Sequence, residues 1–105
     1  MRWTWLLLAI VFEVIGTTSL KLSYGFSKII PTISTALFYG LSFYSLSVAL
    51  KSLEIGIAYA IWSGLGTAII ALIGVYVFGE AFGTLKIVSI ALIIIGVIGL
   101  NLTVH

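Results

Sequence analysis

Four long apolar stretches, separated by short groups of charged and turn-forming residues, dominate the chain. A helix of about 20 residues crosses a hydrocarbon core of about 30 Å, so each stretch is long enough to span a membrane. Because the connections hold only a few residues, we expect neighbouring helices to be antiparallel. The pattern predicts an all-α integral membrane protein in which residues 1–105 form a single four-helix transmembrane domain. The predicted helices cover residues 3–22, 31–50, 55–78 and 84–104.

The composition supports lipid as the main surroundings of this chain. Of its 105 residues 62% are apolar and 8% are charged, and the mean hydropathy is +1.33. So few charged side chains cannot cover the surface of a small soluble globule. The net charge of +2 is scattered along the sequence, which argues against nucleic acid as a partner.

Candidate catalytic and metal-binding groups are scarce. The chain has no cysteine, and its single histidine is the C-terminal residue, His105. We find no nucleophile–base pair, no metal cluster and no phosphate-binding loop. The sequence therefore predicts a protein that is not an enzyme and needs neither a cofactor nor a metal.

The basic residues leave the orientation of the chain in the membrane nearly undecided. With four spans, Arg2 and Lys51 lie on one side, and Lys21, Lys28 and Lys86 lie on the other. A clear excess of Lys and Arg on one side normally fixes orientation. Either the chain inserts with a weak bias, or copies insert both ways, which would permit an antiparallel homodimer.

Glu13 lies near the centre of the first predicted span. A charged group at that depth costs roughly 2.5–3.5 kcal/mol. Lys21 is eight residues further along the same helix, about 12 Å away, and we expect it to reach toward the interface. A proton or an external cation must then neutralise Glu13, which makes it a candidate binding site for protons and small organic cations. The alternative is a protonated Glu13 that hydrogen-bonds between helices.

Aromatic side chains supply a second candidate feature. Tyr59, Trp62 and Ser63 share one face of the third predicted helix, and Tyr39 and Phe43 lie one turn apart on the second. Aromatic faces attract organic cations, most strongly where water is excluded. These residues are candidates for the wall of a cation site. The alternative is that they are aromatic residues of the membrane interface.

Small residues suggest a hinge and a helix contact. Gly64 and Gly66 lie in the middle of the third helix, where a glycine pair can allow bending. Ser89 and Gly96 lie on one stripe of the fourth helix, where small residues let helices approach closely. We predict a hinge at the first pair and a dimer contact at the second. The alternative for both is close packing within one subunit.

Three segments together resemble the small multidrug resistance transporters of bacteria. They are Glu13-Val-Ile-Gly-Thr-Thr in the first helix, Tyr24-Gly-Phe-Ser-Lys-Ile-Ile-Pro31 in the first loop, and Gly56-Ile-Ala-Tyr-Ala-Ile-Trp-Ser-Gly-Leu-Gly66 in the third helix. The resemblance covers essentially the whole chain.

The resemblance implies an antiparallel, dual-topology homodimer in the bacterial inner membrane, with both copies of Glu13 facing one chamber. It implies proton-coupled export, in which protons and a cationic substrate compete for these acids while the dimer alternates between inward-open and outward-open forms. The binding-site aromatics of the family match Tyr39, Tyr59 and Trp62. Gly96 fits the family pattern in the fourth helix, whereas Ser89 stands where a glycine is common.

The segment after the acid bears on the substrate class. Gly16 and Tyr39 resemble the branch that exports quaternary ammonium and other lipophilic cations. The guanidinium-exporting branch typically has a tryptophan three residues after the acid and lacks Tyr39. The alternatives that stay open are a guanidinium-type exporter, a non-transporting membrane assembly subunit and a proton-translocating rotor subunit. Relatives of the assembly kind generally lack the acid at position 13.

Overall fold

A computed structural model describes residues 2–103 of the chain, which form four α-helices. The helices are α1 (Arg2–Leu22), α2 (Ile29–Ala49), α3 (Ile55–Phe78) and α4 (Thr84–Leu102). Helix α2 begins two residues before Pro31, which therefore lies in its first turn, where a missing N–H breaks no helical hydrogen bond. The predicted end of the fourth helix at residue 104, and His105, lie outside the described residues.

All four helices are long and apolar enough to cross a membrane, which confirms the predicted fold class. With a rise of about 1.5 Å per residue, the 21 residues of α1 span roughly 32 Å. Large apolar side chains remain exposed on every helix, for example Ile30 at 81% and Leu85 at 80%. Such exposure suits a chain whose solvent is hydrocarbon rather than water.

The helices form a flat layer rather than a closed bundle. Helix α1 packs against both α2 and α3, and α4 packs against α3, so the order across the layer is α2, α1, α3, α4. The Cα atoms occupy 45 × 35 × 16 Å. The buried core lies where α1 meets its two neighbours, and its α1 members are Leu6, Ala9, Ile10 and Val14. Helix α1 is therefore one of the two inner helices of the layer, together with α3.

The end of α3 is shaped by a glycine. Gly79 has a φ of 68°, a left-handed conformation that glycine adopts without steric cost. The chain turns back there, and the Glu80 N–H donates to the Gly74 carbonyl oxygen at 3.0 Å. This turn places Glu80 against the last turns of α3 rather than beyond them.

Candidate functional site

The two carboxylate oxygens of Glu13 lie in different surroundings on α1. Oε1 accepts a hydrogen bond from Thr17 Oγ1, one turn along the helix, at 3.0 Å. The same Thr17 hydroxyl is hydrogen-bonded to the Tyr39 hydroxyl of α2 at 2.7 Å. Oε2 is buried and has no hydrogen-bond partner within residues 2–103. A buried oxygen without a partner is costly, and it leaves Glu13 ready to accept a proton or a cationic donor.

Two glycines leave the space that this arrangement needs. A Cβ added at Gly16 would lie 2.6 Å from Cδ1 of Tyr39, so the tyrosine ring rests directly on the α1 backbone. A Cβ added at Gly66 of α3 would lie 3.0 Å from Glu13 Oε2. Gly16 thereby sets the position of Tyr39, and Gly66 leaves room for the carboxylate.

A cleft of about 210 Å³ opens beside the carboxylate. Besides Glu13, its lining contains a second buried polar atom without a partner among the described residues, Trp62 Nε1. The cleft therefore holds a free acceptor, the carboxylate, and a free donor, the indole N–H. The residues that line it are Glu13, Tyr39, Ser42, Phe43 and Trp62.

Aromatic rings from two helices surround the outer part of this cleft. The ring centroids of Phe43 and Trp62 are 6.0 Å apart, and Tyr59 meets Trp62 edge-on at 5.4 Å. Tyr59 is 58% exposed and Phe43 is also 58% exposed. A desolvated carboxylate beside several aromatic faces is an arrangement that attracts organic cations by charge and by cation–π contact.

The structure brings most of the predicted site residues together. Tyr39 and Trp62 line the cleft with Glu13, and Tyr59 reaches it through its contact with Trp62. Ser63 is different, since it is exposed, does not line this cleft, and donates its hydroxyl to the Tyr59 carbonyl oxygen at 2.8 Å. A binding role for Ser63 stays a prediction.

The predicted hinge glycines have packing partners on opposite sides of α3. Gly64 faces α4, where an added Cβ would lie 3.1 Å from Cγ2 of Val97, and Gly66 faces Glu13 on α1. Helix α3 runs without a break through both positions. Close packing thus accounts for the two glycines in this conformation, and the hinge stays a prediction.

The predicted dimer stripe is uncovered on α4. Ser89 and Gly96 are both exposed, and a Cβ added at Gly96 would meet no atom of the described chain within 4 Å. Packing within the protomer, the alternative to a dimer contact, does not account for Gly96. The dimer contact itself stays a prediction.

Two hydroxyl residues of the site were not among the predicted site residues. Thr17 bridges Glu13 and Tyr39, and its position four residues after the acid on one helix face was the signal available in the sequence. Ser42 lines the cleft and donates to the Ala9 carbonyl oxygen at 2.7 Å, tying α2 to α1. Its spacing of three residues from Tyr39 could have indicated it.

These features define a helical membrane protein with a single carboxylate in an aromatic-lined cleft between its spans. Comparison with known families makes the assignment specific. The sequence model of the family described as Small Multidrug Resistance protein matches residues 1–93. The chain belongs to this family, a conclusion that confirms the resemblance in its sequence, and it is a multi-pass membrane protein of bacteria.

Similar proteins match nearly the whole chain. The uncharacterized membrane protein YvaE of Bacillus subtilis (strain 168) is 49% identical over 105 residues, covering 100% of this chain and 88% of that protein. The quaternary ammonium compound-resistance protein QacG of Staphylococcus sp. (strain ST94) is 46% identical, covering 96% and 94%. The guanidinium exporter of Escherichia coli (strain K12) is 38% identical, covering 100% of both chains.

Proposed function

We propose that this protein is a proton-coupled antiporter that exports quaternary ammonium and other lipophilic cations. The observation that carries the proposal is Glu13, with one carboxylate oxygen buried and unpartnered beside an aromatic-lined cleft. No lysine or arginine lines that cleft. A binding role for an external proton or cation at Glu13 follows from its chemistry, whereas catalysis would need a partner group that the cleft lacks.

Coupling follows from competition for one carboxylate. With a proton on Glu13, the site carries no bare charge and can be exposed to either side of the membrane. With an organic cation beside the ionised carboxylate, the pair is again neutral. An empty, ionised Glu13 is penalised when the site moves through a medium of low dielectric constant. Glu13 therefore carries either a proton or an organic cation across the membrane, but not both at once. Protons moving down their gradient then drive the export of the cation.

The contact between Gly16 and Tyr39 supports the lipophilic-cation branch. Because the Tyr39 ring rests on the α1 backbone at Gly16, no larger side chain fits there while Tyr39 keeps its place. This steric contact gives a physical reason why a tryptophan at position 16 and a tyrosine at position 39 exclude each other. The quaternary ammonium compound-resistance relatives, at 42–46% identity, favour the same branch.

A guanidinium-type exporter is the second candidate. The guanidinium exporter of Escherichia coli is 38% identical over the whole chain. The unpartnered Glu13 oxygen would suit a planar guanidinium, which donates paired hydrogen bonds to a carboxylate. The aromatic wall formed by Tyr39, Phe43 and Trp62 favours the bulkier cations instead.

We further propose that the working unit is an antiparallel homodimer in the inner membrane, with two copies of Glu13 at one chamber. Three observations support it: the open layer of helices, the uncovered α4 stripe, and the near balance of basic residues on the two sides. A flat protomer cannot enclose a cation, whereas two such layers face to face can.

Solid-supported-membrane electrophysiology on protein reconstituted in liposomes tests this function. Tetraphenylphosphonium, tetraethylammonium and guanidinium are applied in turn, with and without a pH gradient. We expect currents with tetraphenylphosphonium and with tetraethylammonium, and these currents should grow when the interior of the liposomes is acidic. Guanidinium should give little current. The reverse order of currents would favour the guanidinium exporter, and no cation-dependent current in any arm would contradict export.

The control for the assay is the exposed acid at the start of α3. Glu54 forms no side-chain capping hydrogen bond and lies outside the cleft. Glu54→Gln removes one carboxylate from the chain as Glu13→Gln does. Loss of the cation current in Glu13→Gln alone would tie transport to the buried acid.

A further inference from the structure

A second cleft, of about 140 Å³, lies between α1 and α3 on the side of Glu13 that faces the first and third loops. At its inner end is Thr17, the residue whose hydroxyl contacts the Glu13 carboxylate. At its outer end is the carboxylate of Glu80. Its lining residues are Thr17, Thr18, Lys21, Ile70, Gly74, Phe78 and Glu80.

The backbone holds Glu80 at the mouth of this cleft. The left-handed turn at Gly79 brings the chain back, and the Glu80 N–H is fixed on the Gly74 carbonyl oxygen. The Glu80 side chain then lies against α3, because a Cβ added at Gly74 would fall 2.8 Å from Glu80 Cδ. A glycine at position 74 is needed for the carboxylate to reach this place.

We infer that Glu80 is a proton-relay residue, which exchanges protons between the aqueous interface and Glu13 through the cleft lined by Thr17. The inference rests on the proposed proton-coupled function. Two routes then lead to Glu13. Organic cations enter through the first cleft, called here the aromatic cleft, which is lined by Glu13, Tyr39, Ser42, Phe43 and Trp62. Protons pass through the second, smaller cleft. A cleft of this volume accommodates several waters, each of which occupies about 30 Å³ in the liquid.

The transfer is balanced in protons and charge. When a cation binds, Glu13 gives up its proton through the Thr17 hydroxyl and water in the cleft to the Glu80 carboxylate. Glu13 is left ionised beside the cation, and Glu80 becomes a neutral acid. Glu80 then releases the proton to bulk water or buffer. Uptake runs in the opposite direction when the cation leaves.

The charges around Glu80 suit this role. Lys21 of α1 lies over the Phe78 ring at 5.9 Å, and Lys86 of α4 donates to the Ala81 carbonyl oxygen at 2.7 Å. The chain has three acidic residues, and the other two are Glu13 and the distant Glu54. Glu80 is thus the single carboxylate at this end of the helices, where lysines otherwise repel an arriving proton.

The test measures the rate at which protons are released when tetraphenylphosphonium binds. Detergent-solubilised full-length protein is mixed with the cation in a stopped-flow instrument, with a pH-sensitive dye in weakly buffered solution. We expect Glu80→Gln to slow release by about tenfold or more, a typical effect of losing a proton-transfer group. The equilibrium affinity for the cation should stay unchanged, because Glu80 does not line the aromatic cleft.

Three controls separate a relay from a structural role. Glu54→Gln should release protons at the wild-type rate, and Glu80→Asp should keep most of it because a carboxylate remains. Millimolar formate, which buffers little near neutral pH, should restore fast release to Glu80→Gln, since a small carboxylate can replace the missing relay group. Wild-type kinetics in Glu80→Gln, or slow kinetics that formate does not restore, would overturn the inference.

The proposed function and the relay fail in different ways. If wild-type protein binds the cation without releasing any proton, proton coupling at Glu13 is wrong, and the relay falls with it. If wild-type protein releases protons and Glu80→Gln does so equally fast, only the relay is wrong.

Discussion

The hydroxyl of Thr17 is shared between two partners, and this decides which Glu13 oxygen is free. With Glu13 ionised, the single Thr17 hydroxyl proton serves Glu13 Oε1, so the Tyr39 hydroxyl is the donor in its own contact with Thr17 Oγ1. Oε2 is left facing Gly66 and has no partner among the described residues. A bound cation is therefore expected to contact Oε2, while Oε1 stays on Thr17, the side from which the proposed relay exchanges the proton.

Glu13→Gln tests the exchange of proton and cation at this carboxylate. We expect the variant to keep its helices, since glutamine has nearly the same shape, and to lose pH-dependent cation binding and uphill transport. Isothermal titration with tetraphenylphosphonium at several pH values, together with circular dichroism, measures both. Uphill transport by Glu13→Gln would contradict the proposed mechanism.

Gly16→Ala tests whether the α1 backbone sets the position of Tyr39. The added methyl collides with the tyrosine ring, so the hydroxyl moves away from Thr17. The ring is thereby displaced from the wall of the cleft, and losing its cation–π contact costs about 1 kcal/mol, which corresponds to roughly fivefold weaker binding of an aromatic cation. Gly40→Ala on α2, where an added Cβ meets no atom within 4 Å, is the matched control. Equal affinity in the two variants would contradict the steric contact.

At the scale of helices, the spans could be predicted because apolar length and flanking charge determine them. Helix α2 begins at Ile29, two residues before its predicted start, since Pro31 fits the first turn of a helix as well as its first residue. The contact of Tyr39 with Gly16 could not be predicted, because it depends on how α2 packs on α1. For the same reason periodicity placed Ser63 with Tyr59 and Trp62, although the serine lies outside the cleft.

The two glycines of α3 give a prediction about this helix as a moving element. Gly→Ala within a helix adds up to about 1 kcal/mol of helical preference, so either change stiffens α3. Gly66→Ala also brings a methyl against the Glu13 carboxylate, whereas Gly64→Ala meets the side-chain ends of Val97 and Ile93 on α4. We expect Gly66→Ala to weaken cation binding, and Gly64→Ala to keep binding but slow transport if α3 bends there. Transport at the wild-type rate in Gly64→Ala would remove that position from the hinge.

At the scale of the whole protomer, α4 contacts only one neighbour closely and leaves a stripe of small residues open. Gly96→Leu fills open space within the protomer, so its helix content should not fall. If the stripe is the dimer contact, the bulky side chain should shift the protein toward monomer in light-scattering measurements. Gly40→Leu, the same change at an open glycine of α2, should leave the dimer intact. An unchanged dimer in Gly96→Leu would place the contact elsewhere.

The near balance of basic residues on the two sides gives a prediction about orientation in the membrane. Ser52→Lys with Lys28→Gln and Lys86→Gln leaves three basic residues on the side of the termini and one on the opposite side, whereas Arg2→Gln with Ala81→Lys leaves one and four. These positions are exposed or partly exposed and lie outside the aromatic cleft. Each of the two variants should insert in one orientation, as labelling of single added cysteines from the two sides of the membrane would report. If the antiparallel dimer is the working unit, each variant alone should lose cation resistance in cells, and co-expression should restore it, because the two chains then supply opposite orientations. Full resistance from a variant that inserts in one orientation would contradict the antiparallel dimer. It would not contradict the proposal that cations bind at Glu13.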